Sequence, residues 1–117
     1  MKAPIALYET ERLQALRSLE ILDTPTEVSL DRITRLVARV LNVPIALVTL
    51  VDEKRQWFKS RVGVEILETA RDDAFCAHAI LQDEPMVVSD ATCDARFSDN
   101  LLVTQAPHIR FYAGVPI

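Results

Sequence analysis

Between Glu9 and Leu22 the leucines Leu13, Leu16 and Leu19 recur at every third position among Glu11, Arg12, Arg17 and Glu20, a spacing that predicts an amphipathic helix. Asp23-Thr24-Pro25 predicts its end, because a residue before proline is pushed out of the helical region. Thr24 or Thr26 is a cap for a second helix, with Pro25 near its first turn and Glu27 facing the positive end of the helix dipole. That helix runs to Asn42 and carries Leu30, Ile33, Leu36, Val37, Val40 and Leu41 as a stripe, with Asp31, Arg32, Arg35 and Arg39 elsewhere. The β-branched run from Ile45 to Val51 reads as a central strand covered on both faces. Asp52 to Arg55 form a polar turn, and Trp57 to Val62 alternate in part, so the two runs make an antiparallel hairpin closed by Gly63. After an irregular stretch, Asp72 or Asp73 caps a short helix from Ala74 to Gln82, and Met86-Val87-Val88 signals a strand.

From Ser89 to Pro107 periodicity gives way to turn and capping residues, among them Asp90, Thr92, Asp94, Ser98, Asp99 and Asn100. A loop this long in a compact domain is commonly a binding loop. The last strand, Arg110 to Ile117, stops on Val115-Pro116-Ile117 without a polar tail, so its apolar edge is expected to need a further strand, as in a domain truncated before its last strands and helix.

The chain's 117 residues, half of them apolar and 26% charged, suit one domain with a core that needs no disulfide or metal. A net charge of −4 removes the counterion-release drive toward nucleic acid or an anionic membrane. The longest apolar stretch, Val43 to Val51, is about half the ~20 residues that cross a bilayer, and the first residues lack a leader pattern, so a cytoplasmic protein is expected. Two glycines, Gly63 and Gly114, cannot build a glycine-rich phosphate cradle.

Cys76 and His78 invite a catalytic or metal reading, but residues two apart on a helix point about 160° apart and cannot face one partner. Cys76 then reads as a small buried hydrophobe and His78 as a hydrogen-bonded structural histidine. Cys76, Cys93, His78 and His108 have no paired short spacing for zinc, and the two cysteines read as free thiols. The loop is the better candidate. Asp90, Asp94, Arg96 and Asn100 interleave with Phe97 and lead to Arg110, Phe111 and Tyr112, an aromatic floor with a few polar groups of the kind that binds a small ligand. Asp–Arg pairs here serve equally well to tie the loop to the sheet, and Trp57 reads as packing between hairpin and helices.

The segments Ile21 to Pro25, Asp31 to Thr34, Pro44 to Asp52, Arg55 to Ser60, Phe75 to Ile80 and Pro107 to Pro116 resemble, in this order, a bacterial GAF domain. Departures are Val28-Ser29-Leu30 before Asp31, where an aromatic is usual, and Ala70 and Leu101, where proline is usual. The resemblance implies an α+β fold like that of PAS domains: an antiparallel sheet of about six strands, helices packed on one face, and a ligand pocket on the other. One GAF domain over residues 1–117 follows, with an N-terminal helix at about 9–22, a core at about 26–117 and its C-terminal part missing. It implies a sensory or regulatory domain of a signal-transduction protein, noncatalytic itself, covalently joined to an output module such as a diguanylate cyclase, phosphodiesterase or histidine kinase. The candidate ligand-binding residues are Phe75, Cys76, His78, Asp90, Asp94, Arg96, Phe97, Arg110 and Tyr112. The ligand is an unidentified small molecule; no catalytic residue, metal ligand or cofactor is assigned. A homodimer is expected, with Leu13, Leu16 and Leu19 as its exposed surface. Two alternatives stand beside this reading: a redox enzyme on the same fold, similar to the free methionine sulfoxide reductases, using Cys76 or Cys93, and a dimerisation module without a ligand.

Overall fold

A computed structural model describes all 117 residues. Helix α1 (Glu9–Ser18) leads to α2 (Val28–Val40) and then to a three-stranded antiparallel sheet of β1 (Ala46–Val51), β2 (Arg55–Val62) and β3 (Glu68–Ala70) in that order. A single 3-10 turn at Arg71–Asp73 precedes α3 (Cys76–Ala79). Strand β4 (Met86–Val88) pairs antiparallel with β5 (Tyr112–Gly114), and between them lie a 3-10 turn at Ala91–Cys93 and α4 (Leu101–Thr104). No helix is long and apolar enough to cross a membrane.

The hairpin forms where the sequence places it, but β2 rather than β1 is the middle strand. Its partner β3 has only three residues and no periodic pattern to announce it. Val48 lies opposite Ser60 and Thr49 opposite Phe58, so the register slips at Lys59, which has no opposite residue. Ser60 bonds to Thr34 and Asp31 of α2, whereas Thr49 bonds to Cys76 of α3, so the two helices lie on opposite faces of the hairpin.

Both helices are shorter than the pattern suggests. Helix α1 ends at Ser18, followed by Glu20 at φ 50°, and α2 starts after Glu27, which caps with no side-chain bond. Neither Thr24 nor Thr26 caps it: the Thr24 hydroxyl donates to the Ile21 carbonyl and accepts from Lys59. At the other end Asn42 takes the left-handed conformation (φ 52°), and the Val43 amide donates to the Ala38 carbonyl at 3.1 Å, closing the helix in a Schellman arrangement. The expected helix 74–82 shrinks to four residues with Phe75 as its cap, because Asp72 and Asp73 are used in the preceding turn. The expected strand 110–117 pairs only over Tyr112–Gly114.

The main core is Phe75, Ala79, Met86, Val88, Ala91, Phe97 and Val103, joining α3, the β4–β5 pair and the long loop. Leu13 and Leu16 are buried, so the α1 stripe is core and not the exposed surface expected of it; only Leu19 stays exposed. The converse holds for α2, where Thr34 is buried while Ile33, Leu36, Val37, Val40 and Leu41 are exposed.

Candidate functional site

Residues of α3, β1 and β5 converge on one face of the hairpin. Cys76, in the first turn of α3, is half-buried; its Sγ lies 3.1 Å from the Tyr112 hydroxyl and accepts from Thr49 Oγ1 at 3.4 Å. Burial, reinforced by the neighbouring Cys76, pushes the Tyr112 phenol above its ordinary range, so it stays a neutral hydroxyl that can donate or accept. His78 points elsewhere, as the 100° step of a helix requires: its Nε2 lies 2.9 Å from the Met1 carbonyl and its ring meets Phe97 edge-on at 4.9 Å.

On the strands beneath, Gln56 is buried and its Oε1 is the one buried side-chain oxygen or nitrogen without a hydrogen-bond partner. Gln56 alternates with Phe58 along β2 and lies opposite Val51, and Phe58 lies opposite Thr49. Strand alternation therefore puts Gln56 on the Thr49 face, the face α3 covers. Its Nε2 reaches Thr69 Oγ1 only at 3.5 Å. A buried carbonyl oxygen left unpaired costs roughly 1–3 kcal/mol. Such groups in native folds call for an explanation.

The loop residues are largely engaged with one another. Arg96 grips Asp94 in a bidentate pair, Nε to Oδ1 at 3.0 Å and Nη2 to Oδ2 at 2.7 Å, which holds the Asp94 carboxyl down at about 2. The Arg96 guanidinium also lies 5.1 Å from the Phe97 ring centre. Asp90 accepts from the Thr92 amide and hydroxyl, capping the turn at Ala91–Cys93 and lowering its own pKa. Arg110 meets no carboxylate; its Nη1 donates to the carbonyls of Val103 and Ile109. Phe75 and Phe97 stack at 4.2 Å within the core, and Tyr112 leans on Phe75 at 5.1 Å. Of the nine candidates, Cys76 and Tyr112 are brought together at a polar cluster, Phe75, Phe97 and His78 form its packed flank, and Asp90, Asp94, Arg96 and Arg110 brace the loop behind it. No three His, Cys, Asp or Glu side chains converge on a point.

Two features escape the sequence reading. Gln56 carries no pattern that marks it. The first residues also pack on α3: Ala3 lies against Ala74 and Ala77, the Tyr8 hydroxyl donates to the Ile80 carbonyl at 2.9 Å, and the Met1 amine reaches the Arg96 carbonyl at 2.8 Å and Asp99 Oδ1 at 2.5 Å. Only the small residues Ala3 and Ala6 hint at such close packing.

Comparison with known proteins agrees with this architecture. The chain is 39% identical over 109 residues to a cyclic di-GMP phosphodiesterase of Pseudomonas aeruginosa, a match that covers 93% of the chain and 19% of that protein. The chain thus spans about a fifth of that relative's length. The GAF domain profile matches residues 25–117, the stretch that holds α2, both sheets and the Cys76–Tyr112 cluster. With antiparallel sheets, helices on the hairpin and a family match over most of its length, the chain belongs to the GAF domain family.

Proposed function

We propose that this GAF domain is a noncatalytic sensory module of a cytoplasmic signalling protein, which holds a small ligand on the α3 side of the β1–β2–β3 sheet and modulates an output module joined to it. GAF membership and the kinship to a cyclic di-GMP phosphodiesterase support a signalling or regulatory role. The observation that carries the ligand reading is Gln56 Oε1, buried without a partner on the face that also holds Thr49, Cys76 and Tyr112. A ligand with an N–H or O–H donor would satisfy it, and the Tyr112 hydroxyl supplies a second polar contact. Ligand binding would shift the population between packings of α3 and β5 against the hairpin, which in a homodimer reaches both output modules at once.

The test is Gln56→Leu, examined by native mass spectrometry of the full-length protein and by thermal melting of the ligand-free form. The leucine removes an unpaired carbonyl at nearly constant shape, so the ligand-free melting temperature is expected to hold or rise while the bound small molecule is lost. A variant that melts lower and keeps a bound molecule would refute the reading.

A further inference from the structure

Strand β5 carries a glycine two residues after Tyr112. Residues i and i+2 of a strand share a face, so Tyr112 and Gly114 stand side by side, opposite Val88 and Met86 of β4, both buried. Backbone freedom does not explain this glycine. Of the two in the chain only Gly63 has a positive φ, and position 114 keeps a strand conformation that any residue adopts. What Gly114 supplies is space: a Cβ there would lie 2.1 Å from the Tyr112 hydroxyl oxygen, 2.6 Å from Cζ and 2.9 Å from Cε1, all well inside van der Waals contact.

The Tyr112 side chain therefore leans along its own strand and lays the end of its phenol where the side chain of residue 114 would otherwise be. From that seat the hydroxyl reaches Cys76 Sγ at 3.1 Å and the ring leans on Phe75 at 5.1 Å. Cys76 is the one hydrogen-bond partner of this hydroxyl, so no backbone group holds the phenol in place. The contact completes a polar chain from Thr49 Oγ1 through Cys76 Sγ to Tyr112, linking β1, α3 and β5. An added methyl at residue 114 would meet the far end of a side chain that can swing about its own torsions, so the fold survives the substitution while the phenol is displaced.

We infer that Gly114 is a positioning residue of the candidate site: by leaving its Cβ position empty it seats the Tyr112 phenol along β5, sets the hydroxyl on Cys76, covers that thiol and fixes the polar contact offered to a ligand. The last of these effects rests on the ligand reading above; the seating of the phenol and the covering of the thiol do not.

The experiment reads the rate at which a maleimide labels Cys76 in a Cys93→Ser background, where it is the sole thiol. Gly114→Ala is expected to raise that rate about fivefold or more, the scale of one lost hydrogen bond and an uncovered sulfur, with little change in melting temperature. Tyr112→Leu, which removes the phenol itself, should raise it by a similar factor, and adding Gly114→Ala to Tyr112→Leu should change nothing further, because the methyl then has no phenol to displace. In a Tyr8→Phe background Tyr112 is the sole tyrosine, and Gly114→Ala should bring its alkaline ionisation, followed by ultraviolet absorbance, down toward the ordinary phenol range. If Gly114→Ala alone melts too low to label, recovery of the melting temperature on adding Tyr112→Leu supports the proposal and its absence overturns it. An unchanged labelling rate in Gly114→Ala overturns it too, as does an equal rise on the Tyr112→Leu background, which would show that the methyl acts through the backbone. None of these measurements needs a ligand, so their failure is told apart from that of the ligand reading, which is decided by the molecule bound to the parent and lost from Gln56→Leu.

Discussion

Lys59 is the side chain whose loss should be felt most widely for its size. The side chain is 2% exposed, and its Nζ donates to Thr24 Oγ1 at 2.7 Å and to the Pro25 carbonyl at 2.6 Å, with Glu27 Oε2 at 3.0 Å. It therefore fastens the connection between α1 and α2 to the middle strand, at the floor of a groove of about 370 Å³. Lys59→Met keeps the alkyl stem and removes the ammonium. Each hydrogen bond to a charged group contributes roughly 1.5–3 kcal/mol. The Glu27 pair, half exposed, adds under about 1 kcal/mol. Relief of the buried ammonium's desolvation offsets part of the loss, leaving a net destabilisation of about 2–3 kcal/mol. In a chain of this length that corresponds to a fall in melting temperature of about 10 °C. Urea unfolding of Lys59→Met beside Glu27→Gln measures it: the first should lose that amount and the second about 0.5 kcal/mol or less. If Glu27→Gln loses as much as Lys59→Met, the exposed ion pair carries the effect and the account of the Thr24 and Pro25 bonds fails.

Acid should weaken the junction between α1 and the β1–β2 turn. The Glu9 carboxylate is held by Arg12 and by Arg71, each at 2.6 Å, which lowers its pKa from an ordinary 4.5 to about 2; the unfolded chain takes up this proton first, so the stabilisation is complete above pH 4.5 and is lost as pH falls toward 2. Glu9→Gln should be less stable at neutral pH and lose less than the parent across that window in urea titrations, with Asp94 supplying part of the remaining decline; an unchanged acid slope would refute the assignment. Gly63 sits at φ 86°, and a Cβ there would lie 1.9 Å from the Pro44 carbonyl oxygen, so Gly63→Ala should cost at least about 2 kcal/mol in the same assay, whereas a wild-type midpoint would show that the turn yields.

What the sequence makes legible is local. The Ile45–Val51 run and the partial alternation after Trp57 yield the hairpin, Met86–Val88 is found at its bounds, and Asp90 and Asn100 act as caps, because each signal resides in the residues that form the feature. The separation of Cys76 from His78 follows from helix geometry alone. Strand β3 is lost because Glu68-Thr69-Ala70 lacks the apolar, β-branched run that marks the equally short Met86–Val88, and the buried position of Lys59 is lost because a register slip changes which face a residue takes. Gln56 is invisible for another reason: an unpaired oxygen is a property of its surroundings, and those come from the β1–β2–β3 pairing rather than from any neighbour in sequence.

Helices α1 and α2 show where periodicity stops being informative. Leu13 and Leu16 on α1 and the Ile33, Leu36, Val40 series on α2 have the same helical spacing, and each marks a face that gains by leaving water. On α1 that face is covered within the chain, its place fixed by Arg12 donating to the Val51 carbonyl at 2.5 Å and by the Glu9–Arg71 pair. On α2 the covered side is set by Ser60, whose bonds to Thr34 and Asp31 turn those two residues toward the sheet and leave Ile33, Leu36 and Val40 outside. A buried polar pair cannot be reversed without stranding both partners, each at roughly 1–3 kcal/mol. The same hydrophobic spacing thus ends buried on α1 and exposed on α2, according to which polar bonds fix the rotation of each helix.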